Sequence, residues 1–213
     1  MHDRGPPHRC AGCLPGGMPW SLVGTFASRR VSRRPPPGGS LPFNGWGELQ
    51  DSLRGRYNAF EPSPGLKQFL VALKGAGIKI GLVTSGLREK AWPEILSAFR
   101  TLQMGNPLEF YDAIITAGER LTRGQTGTLG ELAPKPHPWL YAETAYVGLA
   151  ADRSRRHKVV GLEDSGAGVV SIRLAGFAAI GVRGGNIDRS GVRPLLHAYC
   201  DSLLDALPLI LGK

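Results

Sequence analysis

Three short strings in this 213-residue chain combine residue types that bind phosphate and hard cations. Thr84-Ser85-Gly86 offers two hydroxyls and, at a strand-to-helix turn, backbone amides suited to a phosphate oxygen. Lys135 lies among Pro134, Pro136 and Pro138, which stiffen the loop around a point charge that a transferring phosphoryl group would meet. Glu163-Asp164 is a paired carboxylate suited to magnesium, which prefers oxygen ligands and keeps several waters. Each string also has a plain structural reading. Thr84 could cap a helix, Lys135 could be a solvated loop charge, and Glu163-Asp164 could be helix-capping chemistry. The functional reading gains weight because all three fall at comparable places in the pattern of elements.

That pattern is regular from Glu61 onward. Leu66, Phe69, Leu70 and Leu73 fall at i, i+3, i+4 and i+7, one face of a helix that Gly75 and Gly77 stop. Ile78–Val83 reads as a buried strand, and a second helix follows with Ile95, Leu96, Phe99 and Leu102 inward. Asp112–Thr116 is strand-like, Pro138–Val147 helical, Val159–Leu162 a strand and Ala167–Ala175 a short helix. Ala178–Val182 and, more weakly, Ala198–Cys200 are strands, and a helix through Leu203, Leu204 and Leu207 follows. Apolar strands alternating with helices predict an α/β fold, a Rossmann-like doubly wound parallel sheet with helices on both faces. In such sheets ligands bind just beyond the carboxyl ends of the strands, where all three strings fall.

The first 42 residues differ in kind. They hold eight of the 17 prolines and are expected to be a solvated, disordered tail, because such a stretch buries too little apolar surface to offset its ordering entropy. One island, Met18–Phe26, has strand-like composition. Residues 1–40 carry six arginines against Asp3, more than half of the net charge of +9. A basic tail can touch phosphates non-specifically, but the mildly basic remainder does not predict a specific nucleic-acid partner. His8, Cys10 and Cys13 resemble half a zinc site, and no second ligand pair follows at a usable spacing. Three irregularly placed cysteines suit a reducing compartment, and no apolar run approaches the ~18 residues of a membrane span. A soluble, cytoplasmic monomer is expected. The Arg-rich, acid-poor start also has something of a mitochondrial transit peptide, a reading that its prolines and glycines weaken.

Val83–Gly86 (V-T-S-G), Lys135–Tyr141 (K-P-H-P-W-L-Y) and Gly161–Gly168 (G-L-E-D-S-G-A-G) resemble motifs two, three and four of the haloacid dehalogenase superfamily. The similarity runs from about Glu61 to Leu211 and is greatest to the phosphoglycolate phosphatase and β-phosphoglucomutase branch. It divides the chain into a tail (1–42), a possible cap remnant (43–60) and a hydrolase core (61–213), with the substrate-selecting cap largely absent. The resemblance implies a magnesium-dependent phosphomonoester hydrolase acting on a small phosphorylated metabolite, with a sugar phosphomutase as the alternative. It implies further that Thr84, Ser85, Gly86 and Lys135 bind the phosphoryl group, that Thr84 and Lys135 serve catalysis, and that Glu163 and Asp164 hold magnesium.

Motif one of that superfamily, Asp-x-Asp-Gly-Thr, carries an aspartate that attacks phosphorus and a second that relays protons. No such string occurs here. The nearest stretch is Trp20–Phe26, which keeps Gly24-Thr25 but has Ser21 and Val23 where the two aspartates would stand. The chain as written is therefore expected to be inactive, and a non-catalytic phosphate- or magnesium-binding protein is a further alternative. Residues 18–23 are expected either to be tail or to supply the missing central strand, with the tail reading favoured. The segment from Arg120 to Ala133 is expected to be a surface excursion.

Overall fold

Short apolar runs supply the strands of the main sheet. They are β1 (Ser21–Gly24), β4 (Lys79–Leu87), β5 (Ala113–Ala117), β6 (Val159–Glu163), β7 (Ala178–Val182) and β8 (Ala198–Cys200). The computed structural model describes residues 21–24, 28–30, 60–117 and 133–212. The strands line up in the order β5-β4-β1-β6-β7-β8, and each neighbouring pair is parallel. A separate antiparallel pair joins β2 (Ser28–Arg30) to β3 (Phe60–Pro62). Parallel strands need crossovers, and helices provide them, as the alternating pattern of the sequence predicts.

Leu66, Phe69, Leu70 and Leu73 form the buried face of α1 (Leu66–Gly75). Gly77, at φ 73°, then takes the left-handed turn that sends the chain into β4. The next helix, α2 (Arg88–Leu102), buries Phe99 and half-buries Ile95 and Leu102, but Leu96 is 37% exposed rather than inward. Beyond it come α3 (Pro107–Phe110) and α4 (Trp139–Glu143), the latter continuing into a π-helical turn at Thr144–Gly148. The order closes with α5 (Gly166–Leu174), α6 (Ile187–Ser190) and α7 (Leu203–Leu211). Of α7's expected inward leucines, Leu203 is buried and Leu204 is exposed.

Two apolar clusters cover the two faces of the sheet. One joins Leu22, Ile80, Leu82, Val160 and Leu162 to α1, α2 and α7. The other joins Val83, Val159 and Ala179 to α4 and α5. A sheet buried on both faces reads as continuous apolar strands, and β6 is buried at all five positions.

The central slot of the sheet is the main departure from expectation. Residues 1–42 were expected to be tail, yet Ser21–Gly24 lies between β4 and β6 and pairs with both. Leu22 is fully buried there, level with Ile80 and Val160. A side chain at Gly24 would put its Cβ 2.8 Å from the Leu162 carbonyl oxygen, so glycine is what lets β1 approach β6. Without this strand, the inner edges of β4 and β6 would carry unpaired backbone groups, which accounts for a proline-rich stretch keeping four residues in sheet geometry. Ser28–Arg30, in β2, also departs from the expected tail. The other residues of 1–42 lie outside the described residues, as do the cap remnant up to residue 59 and residues 118–132 of the expected excursion.

Candidate functional site

The carboxyl edge of the sheet gathers the three strings. Strand β4 runs past Thr84, with its register to β5 shifting between Thr84 and Leu87. Thr84 Oγ1 accepts from the Gly86 amide at 3.0 Å, a local turn that holds Ser85 outward and exposed. Ser85 Oγ in turn accepts from the Lys135 amide at 3.2 Å, which joins the first string to the second.

The third string joins through Glu163. Its Oε1 takes the Lys135 ammonium and the Tyr141 hydroxyl, and its Oε2 takes the Ser165 amide at 3.2 Å and the Ser165 hydroxyl at 2.8 Å. The Glu163 side chain is 1% exposed and that of Lys135 7% exposed, so this ion pair is largely buried, with Lys135 the partner that keeps some access to solvent. Burial by itself would raise the Glu163 carboxyl. The charge of Lys135 and the hydrogen bonds from Lys135, Tyr141 and Ser165 outweigh it and hold the group below its ordinary value. Gly168 makes room for the arrangement: a Cβ there would stand 2.1 Å from Glu163 Cδ.

Glu163 was expected to be a magnesium ligand, and here it is the counter-ion of Lys135. Its oxygens accept four hydrogen bonds from protein, one each from Lys135 and Tyr141 and two from Ser165. Among the described residues, no cluster of three His, Cys, Asp or Glu side chains could hold a metal. Asp164 is left as the carboxylate that this edge offers to a hard cation. The described residues therefore do not build a magnesium site by themselves.

Asp164 sits in the opposite environment to its neighbour. Burial raises its carboxyl above the ordinary value, the charge of Glu163 raises it further, and Lys135 only partly offsets both. Asn186, which the sequence reading did not single out, fixes this segment. Its amide donates to the Asp164 carbonyl at 3.0 Å, and its Oδ1 accepts from the Gly166 amide at 2.7 Å. Its only advance signal was a Gly-Gly-Asn turn just beyond a strand end.

A raised carboxyl gives a clear sign for a stability experiment. The protonated form of Asp164 is favoured by folding, so its stabilising contribution exists at acid pH and is lost as pH rises through the raised value. Asp164→Asn is therefore expected to raise the melting midpoint at pH 7. That gain should shrink towards pH 4. Thermal melts of both proteins across pH check it, and a midpoint that falls at pH 7 would contradict it.

Nothing at this edge supplies a nucleophilic carboxylate from the central strand. Ser21 pairs with Lys79 and Val159, the first residues of β4 and β6, so it lies at the amino end of the sheet. Five strand residues, about 16 Å at the usual rise, separate the level of Lys79 from that of Thr84. Val23 pairs with Gly81 and Gly161, short of the edge as well. The register of β1 thus sets Ser21 and Val23, which align with the missing aspartates, below the carboxyl edge of the sheet. The sequence closes the remaining route, because it holds no Asp or Glu anywhere from Arg4 to Gly47.

No family model matches the sequence, and no curated protein matches it. Solved structures do match in fold. A mutant of CbbY from Rhodobacter sphaeroides, in complex with xylulose-(1,5)bisphosphate, superposes with a TM-score of 0.54 and 20% identity, covering 73% of this chain and 60% of that one. The fold is that of haloacid dehalogenase-superfamily hydrolases. A HAD-superfamily hydrolase from Ehrlichia chaffeensis matches with TM-score 0.55 and 16% identity over 92% of this chain and all of its own. β-Phosphoglucomutase from Clostridium difficile matches with TM-score 0.50 and 21% identity, over 75% of this chain and 58% of that one. The chain thus spans about three-fifths of the CbbY and phosphoglucomutase chains on the HAD core that they share with it. Among the described residues, no helix is long and apolar enough to cross a membrane.

Proposed function

We propose that this chain is a phosphate-binding protein on a HAD-type phosphatase and phosphomutase core, holding a small phosphorylated metabolite without hydrolysing it. The observation that carries this reading is the linkage of Thr84-Ser85, Lys135 and Glu163-Asp164 at one carboxyl edge, beside a central strand whose sequence holds no carboxylate. Lys135 supplies the positive charge; its ammonium donates to Glu163 and lies 5.2 Å from the centroid of the Tyr141 ring. The Ser85 hydroxyl and the amides of the turn before α2 supply hydrogen bonds to phosphate oxygens. Attack at phosphorus needs a nucleophile in line with the leaving group; Ser21 lies at the far end of β1, and the aliphatic Val23 has no nucleophilic atom. Magnesium enters no step of this reading, because Glu163 is committed to Lys135. The CbbY match, solved with a sugar bisphosphate, supports a phosphorylated small molecule as the ligand class.

Titration calorimetry with inorganic phosphate tests the proposal. Removing Lys135 alone would strand the buried Glu163 charge, so the informative variant replaces the pair together, Lys135→Met with Glu163→Gln. Loss of a charge-assisted hydrogen bond is expected to weaken phosphate binding at least tenfold, about 1.4 kcal/mol. Unchanged affinity in a folded double variant would place the phosphate elsewhere.

A further inference from the structure

The amino edge of the sheet, opposite the site above, carries a surface with no part in it. Just before β6, the 3₁₀ turn Arg153–Lys158 (R-S-R-R-H-K) places three arginines and a lysine within six residues. Arg153 to His157 are exposed and Lys158 is half-buried. Asp152, the one acid beside them, is used locally: its Oδ1 accepts from the Ser154 amide at 2.9 Å and caps the turn. The hydrogen bonds from Ser154, and after them the charge of Arg155, hold its carboxyl below the ordinary range. Among the described residues, no salt bridge holds Arg153, Arg156 or Lys158. Like charges set this close repel one another, so the turn gains little from its own composition.

Two further contacts extend the surface. The Arg153 guanidinium lies 4.4 Å from the centroid of the Tyr146 ring, which itself packs edge-on to Phe177. Arg156 reaches the turn at Gly176, where Arg173 donates to the Phe177 carbonyl at 3.0 Å. A guanidinium held on an aromatic face, beside others presented in a row, is the arrangement that grips phosphates and stacks on unpaired bases. The turn has no apolar residue to insert among acyl chains, which disfavours a lipid surface.

We propose that the Arg153–Lys158 turn, with Tyr146 and Arg173, is a docking surface for the phosphate backbone of single-stranded nucleic acid. Recognition is electrostatic and sequence-independent. It is also separate from the phosphate site, which lies at the other end of the same strands.

Fluorescence anisotropy of the full chain with a labelled 20-nucleotide oligo-dT, over a series of salt concentrations, tests this. The logarithm of the binding constant is expected to fall with the logarithm of salt by about 0.7 for each phosphate neutralised. The triple variant Arg153→Gln, Arg155→Gln, Arg156→Gln should weaken binding at least tenfold and lower that slope by about 2. Its melting midpoint and its affinity for inorganic phosphate should stay unchanged. Full binding by the folded triple variant would assign the contact to another segment, such as the arginines of residues 1–40, and overturn the proposal. So would absence of oligonucleotide binding at low salt, or binding to phosphatidylserine vesicles in its place.

Discussion

Replacing Leu22 with alanine is expected to lower the thermal midpoint by roughly 5–15 °C, although the substitution lies in a stretch that reads as tail. The side chain is fully buried between Ile80 and Val160 in the central strand, among the residues that join α1, α2 and α7 to the sheet. Truncating a buried leucine costs about 2–5 kcal/mol, depending on how far the cavity collapses. A chain of this size loses about 2–4 °C per kcal/mol. Deleting residues 1–30 should do more. It opens the inner edges of β4 and β6, and each buried backbone group left without a partner costs about 1–3 kcal/mol. A few such groups rival the ~5–15 kcal/mol by which a typical domain is stable, so the truncated protein should lack a cooperative transition or aggregate through the opened edges. Melting curves for both variants check this. A deletion that melts like the parent would show that β1 is not the central strand.

The second large effect belongs to Glu163. Glu163→Gln leaves the Lys135 ammonium buried without its counter-ion, an arrangement that costs about 3–5 kcal/mol when one partner of a buried pair is removed. The loss should depend on pH. Folding lowers the Glu163 carboxyl, so its stabilisation is present above the ordinary carboxylate value and disappears as pH falls through the lowered one. Parent and variant should therefore differ strongly at pH 7 and converge in acid. Gly168→Ala reaches the same pair by a steric route. Alanine is the better helix former by about 1 kcal/mol, yet the added Cβ would stand 2.1 Å from Glu163 Cδ. A net fall in stability from Gly168→Ala would thus report displacement of the carboxylate. Stabilisation by either variant at pH 7 would contradict the buried-pair reading.

Much of the fold was legible from periodicity alone. The i, i+3, i+4, i+7 set of α1, the strands Ala178–Val182 and Ala198–Cys200, and the alternation that implies parallel pairing all rest on local pattern. The central position of Ser21–Gly24 was not legible. Four residues among prolines and glycines carry too little pattern to outweigh their surroundings, and what secures them is pairing on both sides with strands 58 and 138 residues further on. Leu96 and Leu204 misled for a related reason, since helical spacing gives a face but not how far the neighbouring element covers it.

At the site, the residue types announced phosphate chemistry, but their allotment of roles did not follow from them. Paired carboxylates suggest a cation. Which of the two stays available depends on Lys135 and Tyr141, which lie 28 and 22 residues away and reach Glu163 only in the folded chain. The likeness of Ser21-Leu22-Val23-Gly24-Thr25 to motif one rested on two identities, and the register of β1 sets Ser21 and Val23 below the carboxyl edge of the sheet.

The most direct test is release of phosphate from a generic aryl phosphate by the purified full chain in millimolar magnesium. With Lys135 held by Glu163 and no carboxylate on the central strand, turnover should not rise above the enzyme-free background. Magnesium-dependent hydrolysis by the unmodified chain, abolished by Asp164→Asn, would contradict a site that binds phosphate without cleaving its ester.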